Sequence, residues 1–149
     1  MSEQPTTYYE AMGGHAFFDA LVAHFYQGVA GDAQLRALYP EEDLAPAQER
    51  LLLFLEQYWG GPTTYSDERG HPRLRMRHVP YAVTPTMRDK WLEHMLGGLD
   101  VVGPQFDLHP QLDAALRDYL TRAADSMVNS LEGQPAPIHR MATPPPSAM

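Results

Sequence analysis

The segment from Pro46 to Pro62 reads PAQERLLLFLEQYWGGP. Its apolar side chains recur at spacings of three and four residues, which is the period of a helix with one buried face. Proline suits the first turn of a helix, where its missing N–H has no partner to lose, and the run Gly60-Gly61-Pro62 stops the helix abruptly. The segment therefore predicts one amphipathic helix with sharp ends. Its buried face would carry Ala47, Leu51, Phe54, Leu55 and Tyr58.

The helical period continues on both sides of this segment, while the alternation typical of a strand never persists. One long helix is expected from about residue 15 to 30, a second after the cap-and-proline pair Thr84-Pro85, and a third after His109-Pro110. We predict an all-α fold with four long helices. The apolar faces of these three helices are Phe17, Leu21, Phe25 and Val29; Met87, Trp91, Met95 and Leu99; and Leu112, Leu116, Tyr119, Leu120, Ala123, Met127 and Leu131.

Shorter pieces connect the long helices. Residues 8–12 suit a short first helix, Asp32 is a good cap for a short turn, and residues 60–73 are polar and rich in glycine and proline, as in a long loop. Gly133 closes the last helix. We expect one domain over residues 8–133, preceded by a flexible N-terminus (1–7) and followed by a disordered, proline-rich tail (134–149).

Composition excludes several classes of function. The chain of 149 residues has a net charge of −8 and no cysteine. A nucleic acid or an anionic lipid would be repelled, and thiolate catalysis and zinc–thiolate sites are ruled out. No run of about 18 apolar residues predicts a membrane span, and the N-terminus does not resemble a signal peptide, so we expect a cytoplasmic protein.

The first candidate site residue is His78, which lies in the segment RLRMRHVPY at residues 73–81. One interpretation is a surface histidine in a basic loop. The other is an axial ligand of haem, because apolar neighbours would turn this segment towards the core and alternate arginines would surround the rim with cations. Such a local basic patch on an acidic chain suits a small anionic group, such as the propionates of haem.

Three amphipathic aromatic residues, Tyr26, Tyr39 and Trp91, are predicted to face the same core. Each one alone is well explained by core packing with its polar tip at the surface. Core packing explains the three together less well, because buried hydroxyl and indole N–H groups need hydrogen-bond acceptors. A partly negative ligand on ferrous iron would supply one.

Several separated motifs now agree in order and spacing with one family. The longest are FLEQYWGGP at residues 54–62 and RGHPRLRMRH at residues 69–78. Over residues 8–131 the chain resembles the group II truncated haemoglobins, and most closely their actinobacterial type. The remaining matching motifs are Gly13-Gly14, Phe25-Tyr26, Tyr39-Pro40 and Tyr65-Ser66.

The resemblance implies a truncated globin, a two-over-two helical sandwich around non-covalently held haem b (iron protoporphyrin IX). The proximal ligand of the family falls on His78, and its ligand-stabilising distal residues fall on Tyr26, Tyr39 and Trp91. The distal wall falls on Phe25, Ala47, Leu51 and Phe54. The residues that contact propionates in relatives fall on Arg50, Tyr65 and Arg77.

For function we expect reversible oxygen binding at a five-coordinate iron, with tight binding and slow release. Nitric oxide and carbon monoxide are expected as further ligands. Conversion of nitric oxide to nitrate and peroxidase-like turnover stay open, as do a reductase partner and a homodimer, and no residue is assigned a catalytic role. The alternative is a cofactor-free helical module that binds other proteins through its apolar grooves and its proline-rich tail.

Overall fold

The computed structural model of the protein describes residues 7–39, 42–70 and 83–129. Every regular element in these three ranges is a helix, so the all-α prediction is confirmed for them. None of these helices has both the length and the apolar character that a bilayer crossing requires. In chain order they are α1 (Tyr8–Met12), α2 (Gly14–Ala30), α3 (Ala33–Arg36), α4 (Ala45–Tyr58), α5 (Thr64–Arg69), α6 (Pro85–Gln105) and α7 (Pro110–Met127).

The predicted helix starts are built from local side-chain caps. The Asp32 carboxylate accepts a hydrogen bond from the backbone N–H of Leu35 (3.3 Å), and the Thr84 hydroxyl accepts one from Met87 (3.2 Å). At α7 the ring Nδ1 of His109 accepts one from the N–H of Gln111 (3.0 Å). Each bond satisfies an N–H that has no partner inside its own helix, which fixes where the helix begins.

Helix α2 lies at the centre of the packing. It packs against both α4 and α6, and α6 packs against α7. The outer end of α4 also reaches α7, where the rings of Tyr58 and Trp59 contact Tyr119. The helices thus form two pairs, α2 with α4 and α6 with α7, around one apolar core. Helix α2 contributes most of its length to that core through Phe17, Phe18, Leu21, Val22, Phe25, Tyr26 and Val29.

The predicted loop over residues 60–73 is not entirely a loop, because Thr64–Arg69 forms α5. Two hydrogen bonds from α4 hold this helix. The Gln57 side-chain oxygen accepts from the N–H of Ser66 (2.9 Å), and its amide nitrogen donates to the Ser66 hydroxyl (2.7 Å). Burial of Tyr65 adds an apolar anchor. The polar composition of residues 60–73 predicted a loop. The residue that stabilises α5, Gln57, lies on α4, so the local sequence gives no sign of it.

Helix α7 ends at Met127, earlier than the predicted end at Gly133. After it Val128 is extended, and Asn129 forms two hydrogen bonds with Val83 just before α6. The Asn129 N–H donates to the Val83 carbonyl (2.9 Å), while its side-chain oxygen accepts from the Val83 N–H (3.0 Å). These bonds tie the end of α7 to the start of α6. The predicted end at Gly133, the face residue Leu131 and the tail 134–149 lie outside the described residues, as do residues 1–6.

The turn after α4 has room for a glycine only. The N–H of Gly61 donates to the Glu56 carbonyl at 2.7 Å, and a Cβ on Gly61 would lie 2.8 Å from that oxygen and 2.8 Å from the Tyr9 ring. We expect Gly61→Ala to lower the free energy of unfolding by about 1–3 kcal/mol, because the backbone must shift. Chemical denaturation followed by circular dichroism measures this.

Gly97→Ala is the matched control, because a Cβ on Gly97 of α6 meets nothing within 4 Å. That change should be neutral or stabilising by about 0.5–1 kcal/mol, since alanine favours a helix over glycine. Equal stability of the two variants would contradict the crowding at Gly61.

Candidate functional site

Four aromatic side chains predicted for the site lie in ring-to-ring contact. Phe25 and Tyr26 are neighbours on α2, with ring centroids 4.9 Å apart. Phe25 also contacts Trp91 of α6 (5.3 Å), and Tyr26 contacts Tyr39, which follows α3 (5.7 Å). All the angles between these ring planes are steep, so that edges meet faces, which is a favourable aromatic geometry. The structure therefore brings the three predicted polar aromatics into one connected cluster, with Trp91 and Tyr26 on Phe25 and Tyr39 on Tyr26.

Helix α4 provides the apolar wall beside this cluster. Ala47 and Leu51 are completely buried, and Phe54 is nearly so. The Tyr26 hydroxyl donates a hydrogen bond to the backbone carbonyl of Ala47, at the long distance of 3.3 Å. Alanine takes up little room at this point of the wall. The arrangement places phenol and indole side chains beside an apolar wall.

The far end of the wall continues into α5. Tyr65 is buried, and its ring centroid lies 5.5 Å from that of Phe54. The Arg69 guanidinium lies over the Tyr65 ring, 5.8 Å from its centroid, in cation–π range. Arg50 of α4 is half-buried. Arg50 and Tyr65 were predicted as propionate contacts, and Arg69 only as part of the local basic patch. Its contact with Tyr65 was not predicted, because residues 60–73 were expected to form a loop, whereas positions four residues apart lie side by side on a helix.

Two predicted site residues, Arg77 and His78, lie outside the described residues. The described part of the chain thus contains the distal half of the predicted site. Within it, no group of three or more histidine, aspartate or glutamate side chains could hold a metal ion directly.

The side chains of this distal half suit the haem that the family resemblance implies. Tyr26, Tyr39 and Trp91 present neutral donors in apolar surroundings, and the wall of α4 carries no charge at Ala47 or Leu51. Neutral donors suit a small ligand that gains partial negative charge on binding iron, while apolar walls suit the porphyrin face. The residues present fit the group.

An ionic network fixes the two elements that carry Tyr39 and Trp91. Asp32, the cap of α3, accepts a hydrogen bond from the His94 ring Nε2 (3.0 Å), and the Lys90 ammonium lies 3.6 Å away. His94 and Lys90 belong to the same helix as Trp91. The bond from His94 holds the pKa of Asp32 below its usual value. Asp32 was predicted as a helix cap. Its bonds to His94 and Lys90 were not predicted, because those residues lie far away in the sequence.

A second buried carboxylate lies on α4, facing away from the aromatic cluster towards α1. Glu56 is almost fully buried; its Oε2 is 2.8 Å from the His15 ring Nδ1 and accepts a bond from the Tyr9 hydroxyl (3.3 Å). Burial, and then the neighbouring Glu56 charge, raise the pKa of Tyr9. Both contacts are made by Oε2, and they join α1 and the start of α2 to α4.

An open groove of about 620 Å³ lies at the corner between α6 and α7. The guanidinium of Arg117 spans it, paired with Asp113 (2.8 Å) and Asp100 (2.7 Å). None of the predicted site residues lines this groove. Arg117 pairs with two of the aspartates that line the groove, which ties α6 to α7, and the groove is separate from the aromatic cluster.

Comparisons with known proteins agree on one family. The model of the bacterial-like globin family matches residues 7–129. The group 2 truncated hemoglobin YjbI of Bacillus subtilis is 37% identical over 126 residues, which cover 85% of this chain and 91% of the relative.

Solved structures give the same result. A thermostable hemoglobin of the actinobacterium Thermobifida fusca is 55% identical with a TM-score of 0.78, covering 83% of this chain and 98% of that one. The group II truncated hemoglobin of Bacillus anthracis is 34% identical with a TM-score of 0.78, covering 89% and 98%.

The network at Asp32 predicts a pH dependence. Asp32→Asn keeps a capping oxygen but removes the charge that faces His94 and Lys90. Because the folded pKa of Asp32 is depressed, its extra stabilisation is complete above the unfolded pKa of about 3.9 and is lost as the pH falls through the lower folded value. Urea unfolding at several pH values should show the natural chain more stable than the variant at about pH 5, with the difference shrinking towards about pH 3. A difference that stays constant over this range would contradict the ionic role.

Proposed function

This chain belongs to the bacterial-like globin family, as a group II truncated haemoglobin, and we propose that it binds oxygen tightly and releases it slowly at a haem b held by His78. The family resemblance and the two-over-two globin fold predicted from the sequence are both confirmed. Membership of the globins supports the haem cofactor and the binding of oxygen. The rate of release depends on this chain's own residues.

The haem group, when bound, supplies an iron that binds oxygen reversibly. The proposed proximal ligand is the imidazole of His78, in the segment with alternate arginines. Phe25, Ala47, Leu51 and Phe54 form the proposed distal wall, which would exclude water and hold the porphyrin face. The small side chain of Ala47 would leave an approach for a diatomic molecule.

The observation that carries the proposal is the series of ring contacts that joins the three donor residues: Trp91 contacts Phe25, Phe25 contacts Tyr26, and Tyr26 contacts Tyr39. A phenol or indole donor stabilises a ligand in proportion to the negative charge on it, and oxygen on ferrous iron carries more than carbon monoxide does. Each neutral hydrogen bond contributes about 0.5–1.5 kcal/mol net. Two or three such bonds would slow release by roughly one to three orders of magnitude, since about 1.4 kcal/mol is tenfold.

The edge of the site suits the propionates. Arg50 on α4 and Arg77 beside His78 supply the proposed cations, and Tyr65 supplies a hydroxyl from α5. Charge-assisted bonds from arginine to a carboxylate are among the stronger hydrogen bonds in proteins. Because α4 carries both Arg50 and the distal wall, a propionate contact there would fix the haem against that wall.

The role of His78 is tested by His78→Ala. We expect this variant to lose haem or to hold it weakly, because the iron loses its protein ligand. Titration of the apoprotein with hemin, followed by the Soret band, measures this. His71→Ala is the matched control, since His71 lies in the same basic segment and is not the proposed ligand, and it should bind haem normally.

Two results would contradict this assignment. Unchanged haem affinity and an unchanged iron–histidine vibration in His78→Ala would remove His78 from the role. A folded natural chain that shows no Soret band after addition of hemin would support the cofactor-free interaction module instead.

The distal donors are tested by Tyr26→Phe. The variant keeps the ring that packs on Phe25 and Tyr39 but loses the hydroxyl. We expect oxygen release in stopped-flow experiments to become about two- to tenfold faster, because one hydrogen bond is lost. Carbon monoxide release should change less, since that ligand carries less charge.

Tyr9→Phe is the matched control for this experiment, because the Tyr9 hydroxyl bonds Glu56 and lies outside the aromatic cluster. It should release oxygen at the natural rate. Equal rates for the natural chain and Tyr26→Phe would show that the Tyr26 hydroxyl does not hold the ligand.

A further inference from the structure

Four aromatic side chains form a patch at the surface, where the end of α4 meets α1 and α7. Trp59 lies at its centre, with ring centroids 6.0 Å from Tyr8, 5.5 Å from Tyr58 and 5.5 Å from Tyr119. Tyr58 and Tyr119 are stacked at 4.0 Å. The Tyr9 N–H donates to the Trp59 carbonyl (2.8 Å), which fastens α1 beside these rings. We call Tyr8, Tyr58, Trp59 and Tyr119 the aromatic patch.

Part of the aromatic patch is open to water. Tyr8 is 63% exposed and Tyr58 is 55% exposed, which makes them the two most exposed large apolar or aromatic side chains of the described residues. Both of them contact Trp59. Exposed aromatic surface that is contiguous is typical of a binding site. Core packing accounts for the buried tryptophan, but it does not account for two exposed rings on the same side chain.

The ring N–H of Trp59 indicates a ligand that accepts hydrogen bonds. This N–H is buried and has no hydrogen-bond partner among the described residues, and the whole side chain is only 9% exposed. A buried donor without an acceptor is costly, so a group that supplies an acceptor would be bound favourably. Burial, and then the neighbouring Tyr58 charge, raise the pKa of Tyr119, so the Tyr119 hydroxyl keeps its proton. The patch therefore offers aromatic faces together with an unpaired donor.

A proline-rich segment in the polyproline II conformation matches both features. Aromatic-lined grooves recognise such segments in many proteins, because proline rings pack well on aromatic rings. The polyproline II backbone has no internal hydrogen bonds, so its carbonyls are available to a donor such as an indole N–H. Proline also fixes the φ angle, and the segment therefore loses less conformational entropy on binding than an ordinary peptide does.

The chain itself contains a segment of this kind. Its proline-rich tail (134–149) lies outside the described residues and reads QPAPIHRMATPPPSAM. The three consecutive prolines Pro144–Pro146 favour polyproline II most strongly. The tail has one arginine and no acidic residue, so charge does not oppose its contact with a chain of net charge −8.

The tail is near enough to reach the aromatic patch. Helix α7 ends at Met127, and Tyr119 lies eight residues earlier on the same helix, about 12 Å away along the axis. The chain from Asn129 to Pro144 spans about 15 residues, and a flexible span of that length has an end-to-end distance of about 20 Å. Such a linker also holds its far end at a millimolar effective concentration, so that even a weak contact is well populated.

We propose that the proline-rich tail docks on the aromatic patch of its own chain, with Pro144–Pro146 on the rings of Tyr58 and Tyr119 and a tail carbonyl accepting the ring N–H of Trp59. The exposed Tyr8 ring turns aside to admit that carbonyl. A docked tail covers the exposed rings and keeps them from pairing with a second molecule. No residue of the patch or the tail is assigned to the haem, so this inference does not rest on the proposed function.

The test places a nitroxide spin label on the full chain at Ser147→Cys. The chain has no cysteine of its own, so the label occupies a single site. Haem is kept in the ferrous carbon monoxide form, which is diamagnetic. The chain has two tryptophans, so its ¹⁵N spectrum contains two indole N–H signals. We expect the label to broaden the signal of Trp59 strongly and that of Trp91, which lies in the aromatic cluster, much less.

Replacement of Pro144–Pro146 by alanine is the first variant. The ratio of docked to free tail, measured by the broadening at Trp59, should fall about two- to tenfold, because the contact between proline and aromatic rings is lost. The three positions lie in the tail, so this variant tests docking without changing any residue of the seven helices.

The patch is tested by Tyr58→Ala, which removes an exposed ring and should reduce the broadening at Trp59 to a similar extent. Val101→Ala is the matched control, because Val101 is an exposed apolar residue of α6 (46%) outside the patch, and it should leave the broadening unchanged. Trp59→Phe keeps a ring but removes the donor. Read from the backbone amide of Gly60, docking should fall about two- to tenfold, because one hydrogen bond is lost.

Three results would overturn the inference. Equal broadening of both indole signals, or broadening that survives the replacement of Pro144–Pro146, would show that the tail does not recognise the patch. In a mixture of spin-labelled ¹⁴N chain and unlabelled ¹⁵N chain, broadening at Trp59 would assign the patch to the tail of a second copy. The Soret band reports on the proposed function separately, so its absence would overturn that function and leave this inference to be decided by the two indole signals.

Discussion

The fully buried ring of Phe25 is the contact on which the rest of the site depends. It touches Tyr26 on its own helix and Trp91 on α6, and Tyr26 in turn touches Tyr39 and the backbone of Ala47 on α4. One apolar side chain thus sets the separation of donors that come from separate elements. Its geometry is stiff because edge-to-face rings tolerate little sliding, and a pocket that stabilises a small ligand needs this stiffness.

Polar contacts reinforce that arrangement at its periphery. Asp32 caps α3 and binds His94 of α6, so the elements that carry Tyr39 and Trp91 are joined a second time, outside the core. Asn129 joins the end of α7 to Val83 at the start of α6 in a similar way. Trp91 therefore lies on a helix that is fixed by both apolar and polar contacts, and Tyr39 follows a short helix that the Asp32–His94 bond holds to it. Among the described residues, the aromatic cluster is uncharged, and the charged groups that join its helices lie outside it.

Local signals explain what could be predicted from the sequence. Asp32, Thr84 and His109 each cap a helix within a few residues, and the period of apolar residues gave the buried face of α2 and most of that of α4. The prediction was wrong for Tyr58, which is 55% exposed because α4 ends there at the edge of the core and its ring packs on Tyr119. Helix α5 was not predicted, because it depends on a contact with another helix: it forms in a polar segment where Gln57 of α4 binds Ser66. The roles of the site residues came from the family resemblance more than from periodicity, since the spacing of apolar residues describes a face and not the ligand it meets.

The tyrosines of this molecule are held in two different ways, and burial decides between them. Tyr26 is buried in the apolar core and its hydroxyl donates to the Ala47 carbonyl, so both the ring and the hydroxyl are held in place. Tyr58 is 55% exposed, and its ring is stacked on Tyr119. A donor stabilises a small ligand best when its position is fixed before the ligand binds, because ordering a mobile side chain costs free energy. Among the described tyrosines, the proposed slow release would therefore depend on the buried Tyr26 and Tyr39, whereas Tyr58 contributes packing between α4 and α7.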